Sequence, residues 1–263
     1  MKISVVHVNC EELSGPYTEL IERNFNRAKR DDTIIEHRYV RRLKRASDTV
    51  FAFPILLNKV DVVEQMIAAG RAGADGVMVA CSGDPGVAEG RTLLPVPVVG
   101  PMEAALHLAC SYGYKVGIVT VADRSWSEYC EMIAQNCGLG TRLAGVKRIK
   151  IPSMEAFTVG FQNPEIVAKA VAETSNELVE DGADAIVIGS AGLSVMSSAA
   201  GLARTESNAP IFDCLTVGLK MTELRVDLTK KFGLPETSRI GWGEQLGQKD
   251  VGRLANLFGM PVG

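Results

Sequence analysis

The stretch Val77-Met78-Val79-Ala80-Cys81-Ser82-Gly83-Asp84-Pro85-Gly86 decides how the chain is read. An apolar run stops at a cysteine, and small turn-forming residues follow. This is the pattern of a buried strand whose last residue carries a thiol, opening through a loop into a helix. In open α/β sheets the ligand lies beyond the carboxyl ends of strands, so a thiol at that place is positioned for chemistry.

The stretch recurs. Gly73-Ala74-Asp75-Gly76-Val77-Met78-Val79-Ala80-Cys81-Ser82-Gly83 aligns with Gly182-Ala183-Asp184-Ala185-Ile186-Val187-Ile188-Gly189-Ser190-Ala191-Gly192. Lys2–Val8 likewise aligns with Lys115–Val121, and Val96–Val99 with Ala209–Phe212. Three matches in one order, at nearly one offset, imply two homologous halves in which Cys81 and Ser190 are counterparts.

Working outward, strands are expected at residues 2–8 and 33–40 and helices at 15–29 and from Pro54 to Gly70. In the latter, Val60, Val63 and Ile67 are expected to form the buried face. A short helix to Arg91, a short strand bracketed by Pro95 and Pro97, and a helix from Pro101 to Tyr112 complete the first half. The second half repeats the scheme: strand 115–121, helix 124–137, strand 143–150, helix 164–180, the Ser190 strand, a small-residue segment to Ala203, strand 211–213 and a helix to Lys231. Loops and a short helix are expected after Phe232. Alternation of strand and helix predicts an α/β protein. It would have two pseudosymmetric lobes, each a parallel sheet flanked by helices, with the active site in the cleft between them. The lobe boundaries are placed at 1–98 plus 213–263, and 99–212.

With 263 residues, each lobe is large enough to bury a core. A hydrophobic share of 46%, a charged share of 22% and a net charge of −3 fit a globular protein and offer no general attraction to nucleic acid or anionic membrane. No apolar run reaches membrane-spanning length, and the first residues lack a leader pattern. The six cysteines (Cys10, Cys81, Cys110, Cys130, Cys137, Cys214) have no zinc-like spacing, and several fall inside expected helices. Reduced thiols and a cytoplasmic setting are therefore expected, with a small-molecule substrate and no metal.

Cys81 is the leading chemical candidate. The loop Ser82–Gly86 leads into a helix, and its amides could cradle an anion or a developing enolate. A hydroxyl at 190 is a poor base without a partner, so Ser190 is expected to hydrogen-bond rather than move a proton. Asn9 and Thr120–Asp123 end the first strands of the two halves and could supply polar groups, or bond their own turns. Asp84 and Asp213 could orient binding groups or cap helices. His7 and His107 are read as packed side chains. Trp126 and Tyr129, one helical turn apart, are read as a core or subunit contact, or else as a pocket wall. The cluster Arg38, Arg41, Arg42, Lys44 and Arg45 reads as a solvated loop or subunit contact, with anion binding as the alternative.

Together, the strand ending at Asn9, Ala80–Gly86, Pro97–Ala105, Gly189–Leu193 and Pro210–Asp213 resemble the aspartate/glutamate/hydantoin racemase superfamily, most nearly its hydantoin racemase branch. The resemblance implies cofactor-free proton transfer at a carbon next to a carbonyl. One cysteine, here Cys81, removes the α-proton, and a second on the opposite lobe returns one. That second position holds Ser190, a departure from the pattern. Either the serine replaces a natural cysteine, or the chain is a one-thiol decarboxylase or cis–trans isomerase, or it only binds its ligand. The resemblance also implies a homo-oligomer. From their places at the strand ends and following loops, Asn9, Ser82, Gly83, Thr120, Ala191 and Gly192 are expected to contact the substrate.

Overall fold

A computed structural model describes residues 1–260. The elements follow in the order β1 (Lys2–His7), α1 (Gly15–Ala28), β2 (Ile34–Tyr39), α2 (Ala52–Arg71), β3 (Gly76–Val79), α3 (Val87–Leu93), β4 (Val98–Val99) and α4 (Pro101–Ala109). The second series is β5 (Val116–Thr120), α5 (Arg124–Asn136), β6 (Leu143–Arg148), α6 (Ser153–Val159), α7 (Pro164–Glu180), β7 (Ala185–Ile188), α8 (Ala191–Ala199) and β8 (Ile211–Asp213). Two further helices, α9 (Cys214–Phe232) and α10 (Gln248–Leu257), close the chain.

The strands form two four-stranded parallel sheets, ordered β2-β1-β3-β4 and β6-β5-β7-β8. The α/β reading and the repeat are thus borne out, since the two sheets share one strand order. The central strands are buried on both faces, which is why Val77-Met78-Val79 and Ile186-Val187-Ile188 are apolar without alternation. Edge strands β2 and β6 carry Glu36, Arg38, Lys147 and Arg148, charges that blunt an exposed sheet edge.

In each sheet the chain leaves the two central strands in opposite directions. That topological switch opens a crevice between the carboxyl ends of β1 and β3, and of β5 and β7. Helix α9 starts directly after β8 of the second sheet but packs on β3 and β4 of the first and on α4. Gly76 accommodates it, because a Cβ there would come 2.8 Å from Val226 Cγ2 and 2.9 Å from Thr222 Cγ2. Helices α1 and α8 also pack together, with buried Asn24 donating to Val195 O across 2.9 Å.

Three local readings are corrected. The buried stripe of α2 runs through Asn58, Val62, Met66 and Ala69, and Val60 is 42% exposed. Val63 is buried as expected, but Ile67 is only partly so. The small-residue segment after Ser190 is helix α8. Its Gly and Ser content hides the helical signal, and those small side chains let it press against α7, α1 and β8. His107 is exposed on α4, with Nδ1 on Glu103 O, whereas His7 is fully buried as expected. His7 stacks on Tyr39 and shares a 2.8 Å hydrogen bond with His37. Burial, and secondarily His37, lowers its pKa to about 3.

Candidate active site

The end of β3 is held from two sides. The Ala80 N–H donates to Val6 O on β1 at 2.8 Å, and the Tyr17 hydroxyl of α1 donates to Ala80 O at 3.1 Å. Cys81 comes next and is 6% exposed. The loop then turns back on it: the Gly83 N–H points at Cys81 Sγ across 3.4 Å, and the Asp84 N–H donates to Cys81 O. Two left-handed residues, Asp84 (φ 48°) and Gly86 (φ 76°), make the turn tight enough for this. Asp84 caps α4 rather than the pocket, accepting from the Met102 and Glu103 N–H groups at 3.0 and 2.8 Å. Its pKa is nevertheless pushed up to about 7, because burial outweighs those two bonds.

Burial also pushes the Cys81 thiol up to about 12, against a smaller opposing pull from the Gly83 amide. In the free protein, then, the sulfur carries its proton at neutral pH. Two more buried thiols lie near enough for their ionisation and that of Cys81 to oppose each other. These are Cys130, also pushed up to about 12, and Cys214, raised well above its ordinary value, both chiefly by burial. All six cysteines are free.

The end of β7 is anchored more heavily still. Gly189 O accepts from Thr120 Oγ1 at 2.9 Å, Trp126 Nε1 at 2.8 Å and Cys130 Sγ at 3.4 Å. Ser190 follows, 5% exposed, as the N-cap of α8; its Oγ accepts from the Leu193 N–H at 3.4 Å. Gly192 leaves room for Phe157, whose ring a Cβ would strike.

Helix α5 joins the two strand ends. Trp126 donates to Gly189 O with its indole N–H while the far edge of the same ring covers Gly83, where a Cβ would meet it at 3.0 Å. Tyr129 donates to Gly83 O at 3.2 Å. A cavity of about 10 Å³ lies between them, lined by Val8, Ile55, Asn58, Cys81, Gly83, Trp126 and Tyr129 among others. It thus draws on both halves of the chain, and Trp126 and Tyr129 stand as its wall.

The other expected residues are distributed unevenly. Asn9 donates from Nδ2 to Ser14 Oγ, which itself donates to Cys10 O, so that amide group braces the start of α1. Thr120 is committed to Gly189 O. Ser82 Oγ is buried beside Cys81 without a partner. Asp213 caps α9 through the Leu215 and Thr216 N–H groups. The basic cluster is largely paired: Arg38 with Glu36, and Arg41 and Arg42 with buried Asp61 and Glu64. Two residues were missed, Tyr17 and Asn58. A polar residue on the apolar stripe of α2 was the available sign for Asn58. Among the described residues no group of three or more His, Cys, Asp or Glu side chains could hold a metal ion, and no helix is long and apolar enough to cross a membrane.

Residues 17–222 match the family model described as Asp/Glu/Hydantoin racemase. Among curated proteins the chain is 29% identical over 171 residues to a hydantoin racemase of Pseudomonas sp. (strain NS671), covering 65% of this chain and 66% of that one. It is 32% identical over 159 residues to a hydantoin racemase of Paenarthrobacter aurescens, covering 59% and 62%. The matched region is less than two thirds of the length of these relatives. Among solved structures, an allantoin racemase from Klebsiella pneumoniae superposes with a TM-score of 0.78 at 27% identity, covering 94% of each chain. An aspartate racemase homologue from Pyrococcus horikoshii, at 14% identity and a TM-score of 0.56, shares the fold.

Proposed function

The chain belongs to the Asp/Glu/hydantoin racemase family, and from that premise we propose that it is a racemase of a small hydantoin- or allantoin-like carbonyl compound. The reaction is α-proton transfer through Cys81, with the protein's own groups doing the chemistry. The hydantoin and allantoin racemases among its relatives support the substrate class. The observation that carries the reading is the Cys81 sulfur at the end of β3, lining a cavity walled by the other half of the chain.

In the forward step Cys81 Sγ, as thiolate, takes the α-proton. The C–H electron pair moves onto the carbonyl oxygen, and the enolate is held by backbone amides at the loop after β3 and the start of α8. In the return step solvent gives a proton to the opposite face of the carbon beside Ser190, the enolate electron pair forming the new C–H bond, and Cys81 later releases its captured proton to solvent. Since the free thiol is protonated at neutral pH, Cys81 also suits the reverse role of acid, and the Gly83 N–H is the group that favours the thiolate. The lobe division at 1–98 plus 213–263 and 99–212, the substrate contacts at Asn9, Ser82, Gly83, Thr120, Ala191 and Gly192, a homo-oligomeric state and a cytoplasmic setting belong to the same proposal.

A second reading rests on Ser190 itself. Its hydroxyl serves as a helix cap, which leaves one thiol to exchange a proton on a single face, as a one-thiol lyase or isomerase would.

The test is α-proton exchange in deuterium oxide on resolved 5-substituted hydantoins, followed by NMR and polarimetry. Wild type should exchange the proton, and Cys81→Ala should lose about 10²–10⁴-fold of the rate while keeping its fold. Undiminished exchange by Cys81→Ala would defeat the assignment. Exchange without loss of optical activity, converted to racemisation by Ser190→Cys, would select the one-thiol reading for the natural serine.

A further inference from the structure

We propose that Asn58 is a specificity-determining residue of this site, its Oδ1 accepting a hydrogen bond from an N–H on the substrate ring. The inference rests on the functional reading given above and adds a residue outside the strand-end loops.

Asn58 projects from α2 and lines the cavity that Cys81 lines. It is 5% exposed. Its Nδ2 donates to Val8 O across 2.8 Å. A carbonyl oxygen can only accept, so the amide orientation is determined: nitrogen toward Val8, oxygen away from it. That oxygen is buried and has no partner in the protein. Leaving a buried acceptor unpaired is unfavourable, and asparagine is also a weaker helix former than leucine or alanine. Half of this side chain has a structural use and half has none.

An unpaired acceptor recognises a donor. It would meet a substrate carboxylate oxygen-to-oxygen, and the cavity wall contributes no cationic side chain to compensate. A neutral ring N–H of a cyclic amide or ureide satisfies it. Held this way, the ring is fixed in its own plane while Cys81 acts on the carbon beside the carbonyl.

The experiment compares exchange rates on a 5-substituted hydantoin, its N1-methyl and N3-methyl derivatives, and the oxazolidine-2,4-dione in which oxygen replaces the N1–H without added bulk. Each rate is divided by that compound's own uncatalysed exchange. Wild type should disfavour removal of one of the two N–H groups by tenfold or more. Asn58→Leu should lose about 10–100-fold in kcat/KM on the parent hydantoin, as the loss of such a bond implies, and its preference between parent and deficient analogue should fall toward unity. A purely structural role would slow all compounds alike and leave that ratio unmoved. Asn58→Ala and thermal denaturation guard against misfolding of the leucine variant. Wild type indifferent to both N–H groups would overturn the proposal with no variant needed, as would an unchanged ratio in a folded Asn58 variant. If wild type exchanges hydantoins, Cys81→Ala does not, and the ratio survives Asn58→Leu, only the Asn58 assignment falls. If wild type exchanges none of them, the functional reading falls with it.

Discussion

Cys81 shows how one side chain is tuned by its packing. Burial raises the thiol to about 12, while the Gly83 N–H at 3.4 Å draws it down by less. An exposed cysteine would be substantially ionised by pH 9. The thiolate fraction of Cys81 should instead climb about tenfold per pH unit without levelling, since pH stays below its pKa. Alkylation by iodoacetamide, mapped by peptide mass spectrometry between pH 7 and 10, should show that slope at Cys81. A plateau near pH 8.5 would mean that the sulfur is solvated or paired with a cation. The Asp84 carboxylate, close in sequence, has a different task, since its bonds to the Met102 and Glu103 amides hold α4 against the loop.

At the scale of elements, α5 is the bridge. It leaves the end of β5, returns over the ends of β3 and β7, and touches both through one indole and one phenol. Three donors on Gly189 O pin the peptide that precedes Ser190. Trp126→Phe removes one of them and leaves the carbonyl satisfied, so the cost should be about 1 kcal/mol, a melting temperature lower by about 2–4 °C. Trp126→Ala opens a cavity as well and should cost about 3–5 kcal/mol. Calorimetry of the two variants distinguishes the cases; equal losses would mean that the indole N–H rather than the ring volume holds α5 in place.

Across the whole molecule, α9 and the α1–α8 contact bind the two sheets into one body. Helix α9 begins at Asp213 of the second sheet and lies on the first, over Gly76. The two methyl groups that a Cβ at residue 76 would strike belong to Thr222 and Val226, both buried. Gly76→Ala should therefore destabilise the protein by about 1–3 kcal/mol through overpacking, read as a lower urea midpoint. A loss below about 0.5 kcal/mol would mean that α9 shifts freely on the sheet. Because the cavity is walled from both halves, the same substitution should also raise KM for the substrate.

What the amino-acid order settled alone was local or repeated. Val77–Val79 and Ile186–Ile188 are apolar without alternation, and Cys81 and Ser190 sit where those runs stop. The strands, the doubled sheet and the family followed from that punctuation, because strand period and turn chemistry are properties of neighbours in the chain. Tertiary structure alone decided which polar groups stand free. Asn9, Thr120 and Asp84 looked available, yet an amide, a hydroxyl and a carboxylate of theirs are taken up by Ser14, Gly189 and α4. Asn58, on a helix stripe read one residue out of phase, lines the same cavity as the thiol instead. Hydrogen-bond partners and burial depend on residues distant in the chain, so a donor or acceptor's availability exists only once the sheets have packed.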